Sequence, residues 1–130
     1  MLAGRLDPIT QDACQFYDDH GLYEEFGGVV TDREEGIRIG RALGQHKAVI
    51  LANHGLLTVG HSVAETAWWF ISMERSCQAQ LLAMAAGEPR SIDHATATDV
   101  HRQTGNHLFG WLSLRPLHEE IIAEQPDLFD

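Results

Sequence analysis

Two apolar runs, Lys47 to Ala52 and Leu56 to Val59, are separated only by Asn53-His54-Gly55. Each is too short for a helix and rich in aliphatic and β-branched residues, so each reads as a buried strand. Strands this close in sequence pair antiparallel across a tight turn. The rest of the chain must cover that hairpin, and its helix signals are clear. Asp32 followed by Glu35 is a capping box opening a helix with Ile37, Ile39, Ala42 and Leu43 on its apolar face, stopped by Gly44. Ser62 and Glu65 open a longer helix carrying Ala67, Phe70, Ile71, Glu74, Cys77, Leu81 and Ala85 at helical spacing, ended by Gly87 and Pro89.

Elsewhere the signals are weaker. Pro8 after Asp7 predicts a short helix through about His20, and Gly28 to Thr31 reads as a short strand. Further helices are expected over Ala95 to Gln103 and from about Trp111 to Glu124, the latter kinked or broken near Pro116. Strands alternating with helices make the class α/β, with residues 1–130 as one domain. Two or three strands are a thin sheet for so many helices, so bare edges are expected to need cover.

The net charge of −10 argues against nucleic acid or an anionic membrane surface as partner, because phosphates would be repelled. No apolar run approaches the roughly 18 residues of a membrane span, and MLAGRLDP lacks the apolar core of a signal peptide. Cys14 and Cys77 are too few and too scattered for a disulfide framework and read as core. A reducing cytoplasm is the expected location.

The eight histidines frame the functional question. His54, between two apolar strands and beside a glycine, is presented at a sheet end, where α/β folds place ligands. Its alternative is a turn histidine bonded to a local backbone carbonyl; a metal site needs three or four ligands. His20, His46 and His61 fall near element ends, where solvated histidines are common. His94, His101 and His107 are six or seven residues apart, which is not the spacing of a helical ligand pair. His118, beside Glu119-Glu120, reads as a wet helix face. Lys47, the only lysine, has nothing polar clustered near it in sequence and is a poor Schiff-base candidate. Adjacent Asp18-Asp19 and Glu24-Glu25 point apart and make no acid/base couple. Trp68, Trp69 and Phe70 in a row force at least one large aromatic off the core face, and Trp68 and Trp69 are the interface candidates.

Residues 47–87, from KAVILANHGLLTVG through the Ser62-x-x-Glu65 cap to the helix bearing Met73-Glu74-Arg75, resemble the second half of the class II aldolase/adducin domain. Upstream, Tyr23-Glu24-Glu25-Phe26-Gly27-Gly28, Glu35-Gly36 and Leu43-Gly44 are similar in order and spacing, so the resemblance covers roughly residues 5–90. It implies a partial three-layer α/β/α domain with a short, mostly antiparallel sheet and flanking helices, residues 91–130 being variable C-terminal helices. It further implies that His54 is one ligand of a divalent metal, usually zinc. That metal would polarise a carbonyl during carbon–carbon cleavage of a small sugar or hydroxy-carbonyl substrate. A homo-oligomer, a tetramer by family resemblance, is the implied assembly.

The departures are equally specific. The family's other ligands form a His-x-His pair in its first half, and this chain has no His-x-His. That first half is expected to lie outside these residues. Sugar-phosphate aldolases carry a tyrosine where this chain has Ile9-Thr10-Gln11, and the only tyrosines are Tyr17 and Tyr23. The adducin-like branch is the closer comparison. Two readings follow: part of a metal-dependent lyase that needs the missing half, or a non-catalytic adducin-like module that associates through Trp68, Trp69 and the bare sheet edge. A self-contained enzyme built from His54 and the other histidines has no spacing signal behind it.

Overall fold

A computed structural model describes residues 4–29 and 31–129. Its sheet has three strands in the order β1 (His20–Tyr23), β2 (Ala48–Leu51) and β3 (Gly55–Thr58). β2 and β3 form the expected antiparallel hairpin, with Leu51 opposite Gly55 and Ala48 opposite Thr58. β1 pairs parallel with β2, His20 beside Ala48 and Tyr23 beside Leu51, so the sheet is mixed. A parallel pair needs a crossover, and helix α1 (Arg33–Leu43) supplies it.

β2 is buried along its whole length because both faces of the sheet are covered. Ala48 and Ile50 point into a core with Leu6, Ala13, Phe16, Trp69 and Met73, beneath helix α2 (Val63–Ala86). Val49 and Leu51 point the other way, against Tyr23 and Ile39 under α1. Period-2 alternation of one strand thus feeds two cores, and the result is the three-layer α/β/α arrangement. Helices α3 (His94–Thr104) and α4 (His107–Glu124) complete the fold, α4 lying along α2.

The helix starts follow the capping residues. The Asp32 carboxylate accepts from the Glu35 amide at 2.6 Å, and the Ser62 hydroxyl from the Glu65 amide at 3.1 Å. α4 begins four residues before the expected Trp111 because the Asn106 side chain caps it through the Phe109 amide, and it continues past Pro116.

Two expectations fail near the N-terminus. Instead of a helix to His20 there is one 3-10 turn, Ala13–Phe16, with all four residues buried. A segment buried on every side has no amphipathic stripe to extend, and Asp18 in the left-handed region (φ 51°) turns the chain into β1. The strand expected over residues 28–31 is absent at Gly28, Val29 and Thr31, and Val30 lies outside the described residues. Gly28 has φ 95° and Val29 is exposed, so nothing there pairs with the sheet. The segment HGLY becomes a strand through pairing with β2, which local composition did not signal.

Candidate functional site

His54 stands exposed at the tip of the β2–β3 turn. Asn53 adopts a left-handed conformation (φ 58°), and the turn reverses within three residues. The His54 amide donates to the Leu51 carbonyl at 3.0 Å, which closes the turn through the backbone. The ring itself makes no hydrogen bond among the described residues, so it is not the locally bonded turn histidine of the alternative reading. It offers one free imidazole. Among the described residues no other histidine, cysteine or carboxylate joins it in a three-ligand group.

The other end of the hairpin is a cleft of about 370 Å³. Lys47 at the start of β2, Gly60 and His61 beyond β3, Glu65 and Trp69 on α2, and His107 at the start of α4 contribute to its walls. Glu65 is buried, and both carboxylate oxygens are engaged. Oε2 accepts from the His61 amide at 2.8 Å, and Oε1 from the Trp69 indole at 3.2 Å. His61 Nδ1 lies 3.5 Å from Oε2 and His107 Nδ1 3.8 Å from Oε1. The two imidazoles meet edge to face with centroids 4.3 Å apart. Burial pushes the Glu65 carboxyl up, but these hydrogen bonds and the neighbouring imidazoles outweigh it and hold it below the usual range.

Lys47 faces this group across the cleft. Its ammonium donates to the carbonyls of Gln15 (2.8 Å) and Gly105, pairs with Asp19 at 3.1 Å, and lies 4.3 Å from the centre of the Trp69 ring. Burial lowers its pKa, and Asp19 offsets part of that. Three donors thus meet three acceptors, so Lys47 pins the 3-10 turn, β2 and the α3–α4 junction together. Asp19 also faces His46 (3.8 Å) and His101 (3.7 Å).

The remaining candidates are dispersed. His20 is buried, with Nδ1 against the Phe16 carbonyl at 2.7 Å and Nε2 accepting from the Leu6 amide at 3.1 Å. His94 and His101 lie on the face of α3 that packs on the 3-10 turn, His94 bonding Tyr17 and His101 bonding the Gln15 carbonyl. His118 is exposed. Of the two interface candidates, Trp69 is only 1% exposed and offers no surface, because its indole is enclosed between the sheet and α4. The aromatic forced off the core is Phe70, 46% exposed, while Trp68 is half-buried with its indole on Gln15 Oε1.

The gathering of His61, Glu65 and His107 was largely hidden in sequence. Glu65 is legible as a capping residue, and the i, i+4 spacing of His61 and Glu65 is the one signal available. His107 arrives through the packing of α4 on α2, which no local pattern reports.

Residues 1–81 match the family model described as Class II Aldolase and Adducin N-terminal domain. The chain is 48% identical over 126 residues to "Decarboxylase NovR" of Streptomyces niveus, covering 97% of this chain and 47% of that protein. It is 36% identical over 87 residues to alpha-adducin of Mus musculus, covering 65% of this chain and 12% of that protein. Among solved structures, an L-fuculose 1-phosphate aldolase from Glaciozyma antarctica PI12 superposes with a TM-score of 0.85 at 38% identity, covering 96% of this chain and 47% of that one. The chain spans about half the length of the decarboxylase and of the aldolase. With a family model matched over residues 1–81 and a closely similar fold at 38% identity, the chain belongs to the class II aldolase and adducin family.

Proposed function

We propose that this chain forms part of a metal-dependent carbon–carbon lyase, with His54 as one ligand of a divalent metal, zinc in the simplest case. The observation that carries this reading is the His54 ring, exposed at the tip of the strand turn with neither nitrogen hydrogen-bonded among the described residues. A catalytic zinc takes three protein ligands and keeps one position open. His54 supplies one, so the others come from outside the described residues, from further sequence or a second polypeptide. When bound, the metal supplies Lewis acidity at a substrate carbonyl as the carbon–carbon bond breaks. The similar proteins support that class, since an aldolase and a decarboxylase both break a carbon–carbon bond. The substrate is a small sugar or hydroxy-carbonyl compound, and the site of action is cytoplasmic.

The test is carbon–carbon cleavage by the protein purified with its accompanying polypeptides, read as aldehyde or CO2 release from L-fuculose 1-phosphate and from aromatic 2-hydroxy and 2-keto acids. Cleavage lost on chelation, restored by Zn2+ and absent in His54→Ala supports the reading. Cleavage undiminished in His54→Ala overturns it.

A second reading is favoured by the apolar side chains left exposed on α2 and α4, namely Phe70, Leu108, Trp111 and Leu112. In it the chain is an adducin-like homo-oligomerisation module, with Trp68 at the margin of the contact. Multi-angle light scattering decides it: a chelator-insensitive oligomer is expected, and a monomer at high concentration removes this reading.

A further inference from the structure

We propose that His61, Glu65 and His107 form a second site, binding a divalent transition-metal ion of the zinc class, with an open coordination position facing the Lys47 cleft. It does not rest on the His54 reading. The two positions lie at opposite ends of the four-residue strands β2 and β3, ~13 Å apart along the sheet at about 3.3 Å per residue.

Two imidazoles and a carboxylate are the donor set of many catalytic zinc centres, in which the fourth position stays open. One ligand atom from each of the three residues lies within 4.8 Å of the others. A tetrahedral ion with ligands at about 2.1 Å wants donors roughly 3.4 Å apart. His61 Nδ1 already stands 3.5 Å from Glu65 Oε2 and His107 Nδ1 3.8 Å from Glu65 Oε1, so an ion held between the two carboxylate oxygens and the rings needs mainly an approach of the two rings. Both rings are free to make it: the side chains are 77% and 65% exposed, and they present Nδ1 to the carboxylate.

The carboxylate, in contrast, is fixed. A Cβ added at Gly60 would fall 3.0 Å from Glu65 Cδ, and one at Gly110 would fall 3.1 Å from Glu65 Cγ and 2.6 Å from the Trp69 ring. Glycines from the β3–α2 turn and from α4 therefore leave the space the Glu65 side chain fills. The His61 amide and the Trp69 indole each take one oxygen, orienting the group as outer-shell partners do in metal sites, and each oxygen keeps a lone pair for an ion. One rigid anionic ligand flanked by two adjustable neutral ones is a workable site. The opposing field is moderate. The N-termini of α2 and α4 converge here with about half a charge each, and the Lys47 ammonium is paired with Asp19.

Such an ion would join the β3–α2 turn to the start of α4, so binding should also stabilise the fold. The experiment is titration of untagged, chelator-stripped protein at pH 7.5 with Zn2+ by calorimetry and with Co2+ by visible absorption. His61→Ala, His107→Ala, their double variant and His54→Ala are compared. About one equivalent is expected, weakened at least tenfold by either single change, lost in the double variant and retained in His54→Ala. Saturating Zn2+ should raise Tm in the wild type and in His54→Ala but not in the double variant. Binding unchanged in the double variant, or no binding at 100 μM metal, overturns the site. Loss in His54→Ala with retention in the double variant overturns it while leaving the lyase reading standing. The replaced histidines are exposed, so their removal leaves the core intact.

Discussion

The indole of Trp69 donates to the carboxylate of Glu65, one helical turn before it on α2, at 3.2 Å. Two side chains legible in sequence only as a capping acid and a candidate surface aromatic are thus one buried hydrogen-bonded pair. Trp69→Phe keeps most of the ring and removes the donor. It should cost about 1–3 kcal/mol, the penalty for an unsatisfied buried acceptor. The folded pKa of Glu65 lies below its unfolded value, so its contribution is present above about pH 4.3 and is lost as pH falls further. With one hydrogen bond fewer the carboxyl titrates higher, and acid unfolding of Trp69→Phe should begin at a higher pH, checked by circular dichroism.

His20 should make stability fall on mild acidification. Burial lowers its pKa, although its bond to the Phe16 carbonyl opposes that. The folded protein holds it neutral, donating through Nδ1 and accepting through Nε2. Below about pH 6.5 the unfolded chain takes up a proton that the folded state resists, so stability declines from there toward the folded pKa. Urea unfolding between pH 8 and 5 should show this slope. His20→Gln, which retains a donor and an acceptor but does not titrate, should flatten it.

Lys47→Met should be among the most damaging single changes. It leaves the Gln15 and Gly105 carbonyls and the Asp19 carboxylate without their cation. Breaking a buried pair from one side costs roughly 3–5 kcal/mol; Asp19 keeps some solvent contact, so the lower end is expected, measured by urea unfolding.

Gly21→Ala should be destabilising because the new Cβ would fall 2.1 Å from the Ala42 carbonyl oxygen. The contact is backbone against backbone, so α1 must move off β1. A loss of about 1–3 kcal/mol is expected, read as a lower urea midpoint.

His54→Ala, by contrast, should leave stability within about 0.5 kcal/mol, since the ring is exposed. A larger loss in urea unfolding would show that the turn depends on the side chain. Unchanged stability is what makes this variant a clean probe of metal binding and cleavage.

The hairpin, the capped starts of α1 and α2, the presence of α3 and α4, and the family were legible along the chain, because those signals are local. Asp32 with Glu35 and Ser62 with Glu65 mark helix starts wherever the chain goes, and a run such as AVIL has to be buried on both sides. Also legible was His54 as the residue a strand turn presents. The rest followed from packing between distant segments. β1 is a strand because β2 lies beside it, and Trp69 is core because α4 closes over it at Gly110. His61, Glu65 and His107 share a site because α4 packs on α2, bringing together residues up to 46 positions apart. Hydrogen bonds within one turn are encoded in neighbouring residues, whereas contacts between distant segments exist only once the whole chain has buried its apolar surface.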